Sequence, residues 1–306
     1  ILGINHIYYA NCLYNLGLLY TEIGNFSKAE FYFIKAINLK YEHITRALNH
    51  LSQDELQRYL MIFGINGDNI MSFAYQSSKS PNIVQLLFDM TLFFKGYLLK
   101  VLNNNEKLIL ANNETTEKYQ LLKSYERRLS KEYSKPILER KGITELEEKS
   151  DLIEKELAQT LSGYKKKENV INWIEVQQRL RWNESCIEFV NFNYYNKGNT
   201  DSIIYAALVL LPNDTLPHFI PLFEEKELNQ LLSTSQSRRM DYVADLYHSP
   251  SDRGALPSGS SSKTLYELIW QPLEPYLKGV NKIYFSPSGL LHRINQNAVA
   301  INDQTL

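Results

Sequence analysis

Apolar positions in the first 45 residues recur at helical spacing. Leu13, Leu16 and Tyr20 form one stripe, and Phe26, Ala29, Phe33, Ala36 and Ile37 form a second. Gly24-Asn25 separates them as a turn, so the pattern predicts two short helices. From 46 to 168 the spacing stays helical without repeating. Ser52 with Glu55 predicts a capping box at one helix start, and Gly64-Ile65-Asn66-Gly67 a turn. Val84, Leu87, Leu92, Phe93, Leu98 and Leu99 predict a mostly buried helix. Two later stripes flank Pro136: Leu121, Leu122, Tyr125 and Leu129 before it, then Leu146, Ile153, Leu157 and Leu161. They predict a long antiparallel helical hairpin.

The period changes near residue 169. Asn172 is placed to cap a short helix carrying Trp173, Val176 and Leu180. Residues 186–192 are β-prone with partial alternation. Residues 203–211 are a continuous apolar run of strand length, the pattern of a strand covered on both faces. A strand is expected at 218–222, a helix at 224–232, and a polar Ser- and Gly-rich loop at 233–263. Leu265, Leu268, Ile269 and Leu273 line one side of a helix over 264–277, which Pro272 and Pro275 bend or shorten. Lys282-Ile283-Tyr284-Phe285 reads as a strand, and Ser286-Pro287-Ser288-Gly289 as the turn after it. Strands alternating with helices make an α/β layer, so the expected fold class is α plus α/β.

Composition narrows the function classes. The 306 residues allow two or three domains, and 44% apolar residues suffice for ordinary cores. With 22% charged residues and a net charge of −1, no general pull toward nucleic acid or anionic membrane is expected. Cys12 and Cys186 give neither a disulfide framework nor a zinc site and fit a reducing cytosol, so a cytoplasmic location is expected. Residues 203–211 are too short to span a bilayer, and Asp89, Lys95 and Lys100 interrupt the run 86–102. Asn5 and His6 break any signal-peptide layout. The chain opens on Ile, and the expectation is that residues preceding it are missing.

The first hairpin carries a more specific spacing. Leu13-x2-Leu16-Gly17-x2-Tyr20 followed by Ala29-x3-Phe33-x2-Ala36 follows the tetratricopeptide pattern over 1–45. Small residues at Gly17 and Ala29 let two helix backbones approach, while Tyr20 and Phe33 fill the groove between them. Leu13 stands where the pattern favours Trp, and Tyr41 where it favours Pro. One unit cannot bury both its faces, so neighbouring repeats are expected upstream. An unrelated helical hairpin is the competing reading.

The order of the pieces resembles CHAT-domain proteins with tetratricopeptide repeats, a caspase-like class found in many bacteria. The match rests on Asn15-Leu16-Gly17-Leu18-Leu19-Tyr20, Lys28-Ala29-Glu30, and Leu92-Phe93-Phe94-Lys95-Gly96-Tyr97-Leu98-Leu99. It continues through Trp173, Val176-Gln177, Asn183-Glu184, Ile187-Glu188-Phe189-Val190 and Tyr205-Ala206-Ala207-Leu208-Val209-Leu210. Its most specific part joins Tyr266-Glu267-Leu268-Ile269-Trp270-Gln271-Pro272-Leu273 to Ile283-Tyr284-Phe285-Ser286-Pro287-Ser288-Gly289-Leu290-Leu291-His292-Arg293-Ile294. The resemblance implies a tetratricopeptide repeat at 1–45, a helical region with the long hairpin at 46–168, and at 169–306 the incomplete first half of a caspase-like α/β domain. It also implies a cysteine endopeptidase whose His and Cys follow the strand–turn block, beyond residue 306. The chain is thereby expected to be the regulatory and scaffolding portion of that enzyme, inactive by itself. The family's link to bacterial defence or programmed death would make the repeats sensors of a trigger.

The residues present are expected to be structural. Cys186 reads as a small buried thiol and Cys12 as a packing residue, since a nucleophile needs an exposed, electropositive setting. His292 reads as a structural residue at a strand end, and His248 has no Cys nearby in sequence. Lys165-Lys166-Lys167 reads as a solvated helix end, and the hydroxyls of Ser286 and Ser288 are explained by the turn. No metal-ligand spacing, phosphate loop or nucleophile elbow occurs, so no catalytic, cofactor-binding or metal residue is assigned and no cofactor is expected. The alternative to a protease portion is a non-enzymatic adaptor that binds a protein partner through its repeat and hairpin helices. A complete pseudo-enzyme is a third reading, disfavoured by the open apolar edge an unfinished sheet would leave.

Overall fold

The computed structural model describes residues 6–48, 51, 55, 58–60, 67–77, 80–97, 109–162, 171–233, 247 and 263–299. Ser52, the turn residues 64–66, Leu98, Leu99, the lysines 165–167, His248 and most of the 233–263 loop lie outside them. The chain divides into two compact units that alternate along the sequence. One comprises 1–15, 32–65 and 93–170; the other comprises 16–31, 66–92 and 171–306.

Helices α1 (Ile7–Glu22) and α2 (Phe26–Leu48) form the expected hairpin, closed by Gly24 at φ +75°. In the first unit Tyr14 of α1 meets Phe33 of α2 edge to face, with 5.5 Å between ring centroids. Ala29, Phe33, Ala36 and Ile37 are fully buried, as their spacing predicts. Leu16 is not: it is exposed, because the buried stripe of α1 runs through Ala10, Leu13, Tyr14 and Gly17. Cys12 is also exposed, which corrects the expectation that it packs. Farther along α2, Ile44 and Ala47 pack with Phe93, whose ring meets Tyr41 at 5.0 Å.

The long hairpin of this unit consists of α5 (Asn113–Tyr133) and α6 (Ile143–Ser162). Asn112 caps α5 by accepting the Glu114 N–H at 3.0 Å. Leu122 and Leu157 share a small core with Ile109, flanked by Tyr119 and Ile153. Leu146 is buried, whereas Leu121 turns outward and is 46% exposed. The stripe thus runs through Tyr119 and Leu122 instead of Leu121, one step round the helix. Lys118 and Glu156 bridge the two arms at 3.0 Å. Pro136 ends α5, a short 3₁₀ turn spans Ile137–Glu139, and Gly142 takes φ +65° before α6.

The second unit holds a four-stranded mixed sheet. Its strands are β1 (Glu184–Tyr195), β2 (Asn199–Leu210), β3 (His218–Glu224) and β4 (Lys282–Ser286), in the order β3-β2-β1-β4. The β1–β2 and β2–β3 pairs are antiparallel, and β1–β4 is parallel. β1 and β2 meet in a tight hairpin in which Lys197 and Gly198 take positive φ. Both flanking strands are longer than their apolar runs predict.

On one face Ile187, Phe189, Ala207, Val209 and Ile220 pack with Leu228 of α8 (Glu225–Ser233) and Leu265, Leu268 and Ile269 of α9 (Leu265–Ile269). Thr264 and Glu267 form a capping box at the start of α9, and Pro272 cuts this helix short with a 3₁₀ turn over Gln271–Leu273. The other face is covered by α3 (Gly67–Ser77), whose Tyr75 ring lies 6.4 Å from Phe192 and 5.1 Å from Tyr194. Ser72 Oγ accepts the Tyr195 N–H at 2.9 Å, and Gln76 donates to the Tyr195 carbonyl at 2.7 Å. From Ile204 to Leu210, β2 is buried along both faces, as its unbroken apolar run requires.

Two further helices complete this unit: α4 (Pro81–Leu92) and the short α7 (Trp173–Gln177), capped by Asn172 as its sequence predicts. Asp89 of α4 accepts the Trp173 N–H at 2.7 Å. Among the described residues no helix is long and apolar enough to cross a membrane.

Candidate functional site

The Ser-Pro-Ser-Gly turn follows β4 and is held by two anchors, Asn191 and Tyr205. Ser288 Oγ donates to Asn191 Oδ1 of β1 at 2.5 Å. Asn191 stands directly opposite Tyr205 in the β1–β2 register, so both side chains leave the same face. The Tyr205 hydroxyl accepts the Leu290 N–H at 2.8 Å and donates to Glu225 Oε2, at the start of α8, at 2.9 Å. Phe223 of β3 stacks on the Tyr205 ring at 4.8 Å. Burial, with the Glu225 carboxylate beside it, pushes the Tyr205 phenol up to about 12 despite the opposing Leu290 N–H. The phenol therefore stays protonated and serves as a fixed donor and acceptor.

Gly289 fits this clamp for two reasons. Its φ is +53°, a conformation that L side chains seldom adopt, and an added Cβ would lie 2.2 Å from the Tyr205 hydroxyl oxygen. After it the chain makes a 3₁₀ turn over Gly289–Arg293 that buries Leu291 and leaves His292 and Arg293 exposed. His292 thus sits in a turn beyond the strand, not at the strand end itself. Gln296 is buried and accepts the Trp270 indole N–H at 3.2 Å.

A second concavity, of about 570 Å³, lies along the outer edge of β3. His218 Nε2 lies 2.5 Å from Asp214 Oδ2 there, and the His218 ring packs 4.9 Å from Tyr276. A carboxylate that orients an imidazole is half of a hydrolytic constellation. The sheet register keeps Cys186 away from it. Cys186 pairs with Leu210, while His218 pairs with Val209. Successive residues of β2 point to opposite faces, so the sulfur and the imidazole lie on opposite sides of the sheet.

Cys186 is only partly buried, so the expected fully packed thiol is corrected to an intermediate one. Among the described residues, no three His, Cys, Asp or Glu side chains cluster to hold a metal ion. Asn191, Tyr205, Glu225 and the Asp214–His218 couple are not singled out by the sequence. Only the last carries a local signal, a four-residue spacing around Pro217. No family model, no curated protein and no solved structure matches this chain.

Proposed function

We propose that the chain is the regulatory and scaffolding portion of a CHAT-type, caspase-like cysteine endopeptidase, with a tetratricopeptide hairpin at its front. The observation that carries this reading is the clamped turn at the carboxyl end of β4, beside the parallel β1–β4 pair. In α/β sheets, chemistry collects outside the carboxyl ends of parallel strands. Here that end is immobilised by Asn191, Tyr205 and Gly289, the device needed to hold a following segment in register. The turn lies in the most specific block of the resemblance. In this reading the His and Cys come from sequence following Leu306, no cofactor takes part, and the location is cytoplasmic.

The adaptor reading is favoured by a different observation: the α5–α6 hairpin ends in an ordered tip that presents Ile137 and Leu138 to solvent. One experiment separates the two. The locus is sequenced beyond the codon for Leu306, and the longer product is assayed for peptide cleavage. A downstream His and Cys whose substitution abolishes cleavage uphold the peptidase reading. A frame that stops at Leu306, with a folded product that cleaves nothing, leaves the adaptor reading.

A further inference from the structure

The tip of the α5–α6 hairpin combines three features. The first is order. The Arg140 guanidinium donates to the Lys135 carbonyl and to the Tyr133 carbonyl, both at 3.0 Å, and stacks over the Tyr133 ring. The Lys141 N–H donates to Glu132 at 3.1 Å, closing the loop from the other side.

The second is apolar exposure. On this braced loop Ile137 is 78% exposed and Leu138 is 99% exposed. A short polar turn would connect the helices equally well, so two large aliphatic side chains held in water call for a cover.

The third is charge. Directly beside the tip, a groove of about 350 Å³ between α5 and α6 is lined by Arg128, Lys131, Lys135, Lys141 and Lys149 against only Glu132 and Glu145. Both carboxylates are engaged, Glu132 with Lys135 and Glu145 with Lys149, each at 2.6 Å. Glu145 also feels the charge of Arg128, which lies over the Tyr125 ring, and Glu132 that of Lys131. Yet five cations face two carboxylates, and Arg128, Lys131 and Lys141 close no ion pair within 4 Å among the described residues. Leu146 is buried at the groove wall.

From this arrangement we infer that the hairpin tip is a docking site for an acidic segment of a protein partner that carries large apolar side chains. Its carboxylates enter the groove toward Lys131, Lys141 and Arg128, and its apolar side chains cover Ile137 and Leu138. Charge complementarity selects the occupant. A flat bilayer surface fits less well, since the cations sit in a concavity that also holds Glu132 and Glu145. Two aliphatic side chains also bury less hydrocarbon than one myristoyl chain, which alone binds membranes only marginally. The site lies on α5, α6 and the connection between them and does not depend on peptidase chemistry.

The test uses the full chain and a fluorescein-labelled peptide of alternating Glu and Leu residues, with its Gln-and-Leu counterpart as control, read by fluorescence anisotropy. The acidic peptide is expected to bind and to weaken as salt is raised from about 50 to 200 mM. The Lys131→Glu/Lys141→Glu chain should bind at least about tenfold more weakly, and Leu138→Ser several-fold more weakly. Lys131→Gln/Lys141→Gln serves as a milder pair should charge reversal disturb the fold, which circular dichroism checks. No binding, or binding indifferent to both the lysine and the Leu138 substitutions, overturns the proposal. So does a chain that ignores the peptide but sediments with phosphatidylserine vesicles in a Leu138-dependent way.

Discussion

Tyr205 and Leu290 are joined by a 2.8 Å hydrogen bond across 85 residues of sequence, the backbone N–H of one meeting the phenol of the other. The bond fixes the exit of the chain from β4. The same hydroxyl is the atom that a side chain at position 289 would strike. Gly289→Ala should therefore destabilise the protein by about 2 kcal/mol or more, through positive φ and collision together. Tyr205→Phe should cost about 1–3 kcal/mol, by leaving the Leu290 N–H and Glu225 without their partner. Because Phe removes the obstructing oxygen, the double variant should lose less than the two losses added. Urea denaturation of the four proteins measures this coupling, and strict additivity would show that the clamp does not exist.

Asp89 makes stability depend on pH. Burial raises its carboxyl to about 6, although the Trp173 N–H it accepts opposes that shift. The folded value lies above the unfolded one, so the native state holds the proton more tightly. The contribution is complete only below the unfolded value of 3.8 and is lost as pH rises through about 6. Asp89→Asn keeps an acceptor for Trp173 and carries no charge. It should match the parent near pH 4 and exceed it in urea midpoint above pH 7, and a constant difference across this range would refute the assignment.

The cap of α9 is a compact test of how the helix start is held. Thr264 is buried, and Glu267 closes the box from the third position. Thr264→Ala should lower stability by about 1 kcal/mol. Thr264→Ser should recover most of that loss, as thermal unfolding followed by circular dichroism would report.

The two cysteines should differ in reactivity. Cys12 is exposed on α1, whereas Cys186 is partly covered on β1. Native protein treated with a thiol-reactive dye should label in a fast and a slow step, with Cys12→Ser removing the fast one. If that substitution removes the slow step instead, the exposure assignment is reversed.

Much of the α/β layer is readable from residue pattern because burial on both faces leaves a local trace, as in the unbroken run of β2. The β1–β2 hairpin turn leaves a weaker one. Lys197 takes positive φ without an Asn-Gly pair, and the polar end of β1 pairs with β2 while Ser72 and Gln76 of α3 hold the Tyr195 backbone. Helical stripes are legible as stripes, but which edge faces inward depends on the neighbouring helix. Leu16 and Leu121 turn outward for that reason. The Ser-Pro-Ser-Gly turn is legible as a turn, while Asn191 and Tyr205, its two anchors, are brought to it only by strand register.

The two borders of the sheet are chemically unlike. β3 carries Pro221, which has no N–H to offer a neighbouring strand, and its pairing with β2 shifts register between Tyr205 and Ala206. β4 contains no proline, runs parallel to β1, and bears no strand on its far side among the described residues. The β3 border therefore lacks one backbone donor, whereas the β4 border keeps the N–H and C=O groups with which a further strand pairs. A chain pairing along β4 lies beside Tyr284 and Phe285, within a few residues of the clamped turn.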